Sequence, residues 1–129
     1  LIDDSIVRGT TSVKIVELMR QAGAREVHMK IASPPIKYPD FYGIDTPEKA
    51  QLLASLKSEK EMAVYIGADS LSFLSVDGLY RAMGYEKGRD DTNPAFTDHC
   101  FTGDYPTPLE DNNIAWLFET SQLSVRNEN

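Results

Sequence analysis

The 129-residue chain has a single cysteine, Cys100, so no internal disulfide can hold it together. A reducing compartment suits such a chain, and the cytoplasm is its expected location. Long apolar runs are missing as well. None approaches the ~20 residues of a membrane-spanning helix, and no charged-then-apolar leader ends in a small-residue cleavage site, so no membrane partner is expected. Positive charge is scarce: thirteen basic residues stand against twenty acidic ones, for a formal net charge of −7. The acids are scattered rather than gathered into a tail, and no basic stripe is present to offset phosphate repulsion. A nucleic-acid-binding surface is therefore not expected. Internal repeats and low-complexity tracts are absent too.

What remains suffices for one domain with a buried core, near the lower end for an enzyme with a deep two-substrate cleft. Leu1-Ile2 is an apolar pair followed at once by two aspartates, the pattern of a buried strand entered partway, and no initiator methionine precedes it. The expectation is that residue 1 is a break in a longer protein, with part of the fold upstream. Thr10, Thr11 and Ser12 then offer N-cap oxygens, and apolar residues at Ile15, Leu18, Met19 and Ala22 predict a helix over 11–22 that Gly23 stops. Alternation through residues 26–31 predicts a strand with one wetter face, completing a strand-loop-helix-strand unit of a parallel sheet.

Pro34-Pro35 and Pro39 break regular structure, and residues 41–45 read as an ordered loop. Asp45 or Thr46 can cap a helix with Pro47 at its first position, running through Leu52, Leu53 and Leu56. A second helix is predicted over 59–66, ended by Gly67, then a strand over 71–75 and a helix over 76–83 closed by Gly84. Beyond Gly84 the composition turns to Gly, Asp, Asn, Pro and Thr, which predicts loop and tail. Trp116, Leu117 and Phe118 form a late apolar patch expected to dock a terminal helix.

Chemistry is concentrated in the opening run Asp3-Asp4-Ser5-Ile6-Val7-Arg8-Gly9-Thr10-Thr11. Apolar strand residues end in two carboxylates, and small, hydroxylated residues then turn the chain into a helix. Consecutive backbone N–H groups of such a turn, with the positive end of the helix dipole, suit a phosphate dianion. Ser5, Thr10, Thr11 and Ser12 can add hydroxyl donors, and Gly9 permits a close approach. Adjacent acids on a regular strand point to opposite faces, so Asp3 and Asp4 act together only across a bend. Beside a phosphate loop they can accept from sugar hydroxyls and help hold Mg²⁺. The plainer reading is that the acids cap a strand and the Thr-Thr-Ser run starts a helix.

In its order, apolar strand, acid pair, Gly-Thr-Thr loop, then helix, this run resembles the fingerprint of the type I phosphoribosyltransferases. A wider series is similar to the glutamine phosphoribosylpyrophosphate amidotransferase family: Ile31-Ala32-Ser33-Pro34-Pro35, Phe41-Tyr42-Gly43-Ile44-Asp45, Ile66-Gly67-Ala68-Asp69-Ser70-Leu71, Leu74-Ser75-Val76-Asp77-Gly78-Leu79 and Cys100-Phe101-Thr102-Gly103-Asp104-Tyr105-Pro106-Thr107. The resemblance implies an α/β fold: a partial type I phosphoribosyltransferase fold over 1–86, a parallel sheet with flanking helices beginning at the loop that binds phosphoribosylpyrophosphate (PRPP). A loop-rich C-terminal tail with a short helix would follow over 87–129. The glutaminase domain and the upstream transferase core would lie outside the chain.

By that resemblance Asp3 and Asp4 are Mg²⁺ and ribose contacts, Ser5 through Thr11 hold the 5′-phosphate of PRPP, and purine nucleotides compete for the same pocket as feedback inhibitors. The whole enzyme would pass glutamine-derived ammonia to PRPP, displacing pyrophosphate to give phosphoribosylamine. With no catalytic residue inside it, the chain alone is expected to be inactive. An exposed sheet edge at Leu1-Ile2 would invite a second copy, so a homo-oligomer is expected.

Some members of the family bind a [4Fe–4S] cluster through cysteines at positions occupied here by Asp40, Thr97 and Cys100, and one thiol cannot hold the cluster that way. No cluster is expected, and Cys100 reads as a buried small apolar residue rather than a nucleophile. His28 and His99 form no metal-binding spacing; the first reads as lying on the polar face of its strand, the second in a loop. Lys57, Glu59, Lys60 and Glu61 read as a solvated helix face. The Ser33-Pro34-Pro35 turn either borders the nucleotide pocket or redirects the chain. Two other readings stand beside the enzyme: a nucleotide-sensing regulatory module that keeps the loop, and a base-salvage transferase. A basic surface would favour the former, while the Phe-Tyr-Gly-Ile-Asp and Cys-Phe-Thr-Gly blocks argue against the latter.

Overall fold

The computed structural model describes residues 1–109. The expectation for Trp116, Leu117 and Phe118 lies outside them. Three strands, β1 (Ile2–Asp3), β2 (His28–Ile31) and β3 (Ser70–Phe73), form a parallel sheet in the order β1-β2-β3. The helices are α1 (Thr10–Gln21), α2 (Leu53–Leu56), α3 (Glu59–Ile66), α4 (Val76–Ala82) and α5 (His99–Thr102), with a 3-10 turn at Lys49–Gln51. None of the described helices is long and apolar enough to cross a membrane.

Alternation in β2 sends Met29 and Ile31 inward, at 0% and 3% exposure, while His28 and Lys30 face outward. Met29 and Ile31 meet Ile6, Val16, Val27, Leu53, Ala54, Met62 and Ile66 in one cluster, so α1, α2 and α3 cover the same face of the sheet. Each such fully buried aliphatic side chain contributes about 1.5–3 kcal/mol relative to exposure. Helix α3 begins in a capping box in which Ser58 and Glu61 satisfy each other's backbone N–H, and it stops at Gly67, whose φ of 76° suits a residue without Cβ.

Three expectations need correction. Ile2 is not buried: it is 78% exposed, because it pairs with Lys30 on the outward face of the strand that edges the sheet. Helix α1 is not capped by a hydroxyl; its N-cap is Gly9 at φ 80° with no side-chain cap. The helix expected from Pro47 through Leu56 is broken. Thr46 Oγ accepts the Asp40 N–H at 2.7 Å instead of capping, and the chain extends at Leu52 so that Leu52 and Leu53 are both buried. The described stretch after Gly84 is loop apart from the short helix α5, as expected, and a cluster of charged side chains holds it. There the Arg89 guanidinium donates to Asp98 through Nε at 2.7 Å and also meets Asp91 and Asp104. Tyr80 donates its hydroxyl to Asp98 at 2.7 Å, Thr102 donates at 3.0 Å, and the Arg89 N–H donates to Asp77 at 3.0 Å.

Candidate functional site

Where β1 ends at Asp3 the chain bends at Asp4, and both residues line one cavity of about 320 Å³. A regular strand would point the two side chains to opposite faces, and the bend interrupts that alternation. Asp3 Oδ1 accepts the Asp4 N–H at 3.0 Å, and Asp4 Oδ1 accepts the Ser5 hydroxyl at 3.1 Å. Ser5, Ile6, Val7, Arg8, Gly9, Thr10 and Thr11 continue the wall, joined by Ser12. Ile6 is 1% exposed and packs in the core, so its side chain fastens the loop to the sheet. Helix α1 opens onto the cavity with no side-chain cap and no acid in its first turn. Its first amides have no acceptor within the helix, and the dipole makes their end positive.

The loop is braced from behind by the segment that departs from helical geometry. Leu53 N–H donates to the Val7 carbonyl at 2.8 Å, and a Cβ built on Gly9 would lie 2.6 Å from Leu53 Cδ2 and 3.2 Å from a Tyr65 ring carbon. Arg8 donates through Nε and Nη2 to Gln51 Oε1 at 3.1 and 2.9 Å. Sequence reading singles out neither Gln51 nor the brace, since a contact across 43 residues leaves no local pattern. The Ala32 N–H donates to the Asp3 carbonyl at 2.9 Å, so the Ser33-Pro34-Pro35 turn follows directly on the strand beside the acid pair, with Ser33 Oγ buried and unpartnered.

Asp40, Thr97 and Cys100 bring a single thiol among them. Asp40 is committed elsewhere: it accepts the N–H groups of Tyr42 and Ile44 at 2.8 Å each and bonds His99 Nε2 at 2.7 Å. His99 is thus not in a loop but begins α5, buried, with the Tyr42 and Tyr105 rings each 5.0 Å from its own. Thr97 is exposed, and Cys100 is half-buried rather than buried, its thiol pushed up by burial. The Tyr105 phenol donates to the Pro39 carbonyl at 2.8 Å and is pushed up to about 12, chiefly by burial. Among the described residues no group of three or more His, Cys, Asp and Glu could hold a metal ion. His28 lies exposed on the outward face of β2, between Ser70 Oγ at 2.8 Å and Glu26 at 3.0 Å. Glu59, Lys60 and Glu61 are exposed as expected, while Lys57 is half-buried with Nζ 5.8 Å from the Tyr65 ring centroid.

Burial pushes the Asp40 and Asp98 carboxyls up, but their hydrogen bonds outweigh it: Ile44, Tyr42 and His99 for Asp40, Arg89, Tyr80 and Thr102 for Asp98. Both are held below the ordinary carboxylate value of 3.8. A carboxyl depressed in the folded state stabilises it above the unfolded value, and that stabilisation is lost as pH falls through the folded value. Stability is thus expected to hold down to about pH 4 and to fall below it, more shallowly in Asp40→Asn. A urea midpoint that stays level from about pH 4 to pH 2 would contradict this.

No protein-family profile matches the chain. It is 65% identical over 114 residues to the amidophosphoribosyltransferase of Rhizobium etli, a match that covers 88% of this chain and 23% of the relative. To the Bacillus subtilis enzyme of that name it is 55% identical over 109 residues, covering 84% of this chain and 22% of the relative. The solved structure of glutamine PRPP amidotransferase from B. subtilis, complexed with ADP and GMP, superposes with a TM-score of 0.74 at 54% identity, over 86% of this chain and 24% of that one. The chain spans less than a quarter of the length of these relatives. With its sheet, its flanking helices and most of its length matched at this identity, the chain belongs to the amidophosphoribosyltransferase family, as part of its phosphoribosyltransferase domain.

Proposed function

We propose that this chain supplies the PRPP-binding part of an enzyme that transfers glutamine-derived ammonia to PRPP, giving 5-phosphoribosylamine, pyrophosphate and glutamate in purine biosynthesis. One observation carries the reading: two carboxylates at a strand end share a cavity with an uncapped helix N-terminus and a glycine-bearing turn. The turn and helix end suit a 5′-phosphate, and the carboxylates suit the ribose hydroxyls one sugar ring away. As ammonia bonds the anomeric carbon and the bond to pyrophosphate breaks, positive charge builds on the sugar, which fixed carboxylates stabilise. The ammonium nitrogen then loses a proton.

The acid pair fits Mg²⁺. Its donors are hard oxygens, and Oδ2 of Asp3 and of Asp4 has no hydrogen-bond partner among the described residues, leaving room for an ion that keeps waters and substrate oxygens as its other ligands. Asp3 and Asp4 would hold it, and when bound it supplies charge neutralisation to the departing pyrophosphate. A [4Fe–4S] cluster does not fit, because Cys100 is one thiol and Asp40 is taken by His99. We read the protein as cluster-free, cytoplasmic and homo-oligomeric, with the transferase part over 1–86, the tail over 87–129, and purine nucleotides competing at the PRPP cavity.

The full-length protein carrying this chain is expected to form phosphoribosylamine from ammonia and PRPP with Mg²⁺, while the 129-residue chain alone forms none. Asp3→Asn and Asp4→Asn should each lower kcat/KM on the order of 100-fold, the scale of losing one group that stabilises transition-state charge. Iron in an anaerobic preparation should stay far below cluster stoichiometry. A full-length protein that binds purine nucleotides but never turns over PRPP would favour the nucleotide-sensing module instead.

A further inference from the structure

We propose that Gln51 is a positioning residue for Arg8, holding its guanidinium at the wall of the phosphate cavity; the inference rests on the PRPP reading of that cavity. Arg8 lines the cavity yet is exposed, and a free arginine side chain has rotamer entropy to lose before it can hold an anion. Here one edge of the guanidinium is already fixed. Nε and Nη2 both donate to Gln51 Oε1, at 3.1 and 2.9 Å, which sets the plane of the fork. The Nη1 donors stay unengaged by protein among the described residues, so a ligand oxygen meets an oriented group.

Gln51 can do this because its own backbone is fixed relative to the loop. Its N–H donates to the Glu48 carbonyl at 2.8 Å within the 3-10 turn. Leu52 and Leu53, which follow it, are 0% and 5% exposed. Leu53 N–H is bonded to the Val7 carbonyl at 2.8 Å, and Leu53 Cδ2 fills the space beside Gly9. The residues on either side of Arg8 and the two residues after Gln51 are therefore pinned to each other. Only the two side chains remain to close the bridge. An acceptor at position 51 restricts Arg8; a side chain without one releases it, with no buried group left behind, because both residues are exposed.

The test is PRPP binding by the full-length protein with Mg²⁺, followed by calorimetry, together with the thermal midpoint. Gln51→Leu should raise the Kd about tenfold, the scale of one charge-assisted hydrogen bond, with the thermal midpoint unchanged. Gln51→Glu, which keeps an acceptor, should stay within about threefold of wild type. The decisive arm is the double-mutant cycle: in an Arg8→Met background Gln51→Leu should have no further effect. Additive losses, an unchanged Kd, or tighter binding in Gln51→Leu would each overturn the role. If wild type binds no PRPP, the reading of the cavity falls and this inference with it; if wild type binds and the cycle shows no coupling, the inference alone falls.

Discussion

Gly9→Val is expected to abolish productive PRPP binding, raising the Kd by at least about 100-fold and lowering the thermal midpoint as well. Gly9 sits at φ 80°, where an L side chain meets its own backbone at a cost of roughly 1–2 kcal/mol. Space is lacking too. A Cβ there would lie 2.6 Å from Leu53 Cδ2, and Leu53 is 5% exposed with its N–H tied to Val7, so it has little freedom to withdraw. Relief has to come from the loop, which would then depart from the shape that walls the cavity. Gly9→Ala should fall between, sharing the backbone cost but presenting less bulk. Calorimetry of the full-length variants is the check, and a valine variant with near-native affinity would show that the loop is held by something other than its fit against Leu53.

Arg89→Met should loosen the segment from Gly84 to Gly103 by about 3–5 kcal/mol, the scale of leaving one member of a buried ion pair unpaired. The Arg89 and Asp98 side chains are 8% and 4% exposed, so Asp98 has no water to replace the lost guanidinium. Tyr80 and Thr102 still donate to it, but neither carries charge. The Arg89 guanidinium is held well above its usual range by Asp98 first and Asp104 next, so no accessible pH discharges it. Hydrogen exchange at Phe101 and Thr102, whose N–H groups donate to the Asp98 carbonyl, should quicken by on the order of 100-fold or more. Adding Asp98→Asn should recover much of the loss. Unchanged protection in Arg89→Met would falsify the assignment of this cluster as the tie.

What the sequence disclosed and what it withheld divide along the range of the interactions. β2 and α3 are legible because their signals are local: strict alternation in one, helical periodicity and a terminal Gly67 in the other. The loop is legible as an ordered set of residue types, and all nine of its residues do wall one cavity. The break at Leu52 is not, since a Pro47 start and leucines at helical spacing argue for one continuous helix. The chain gives up that helix to bury two adjacent leucines and to bond Val7. The setting of His99 is hidden for the same reason, its partner Asp40 lying 59 residues away. The Arg89 cluster hides in a composition that otherwise signals loop.

The Leu53 to Val7 hydrogen bond also bears on how the chain comes into being. Synthesis delivers the loop first, while the leucine that braces it arrives 53 − 7 = 46 residues later. Closing that interval costs chain entropy that is repaid once the sheet and its covering helices pack together. The nascent loop is therefore unbraced while it leaves the ribosome, and its bracing comes with the second crossover of the sheet rather than with the motif itself.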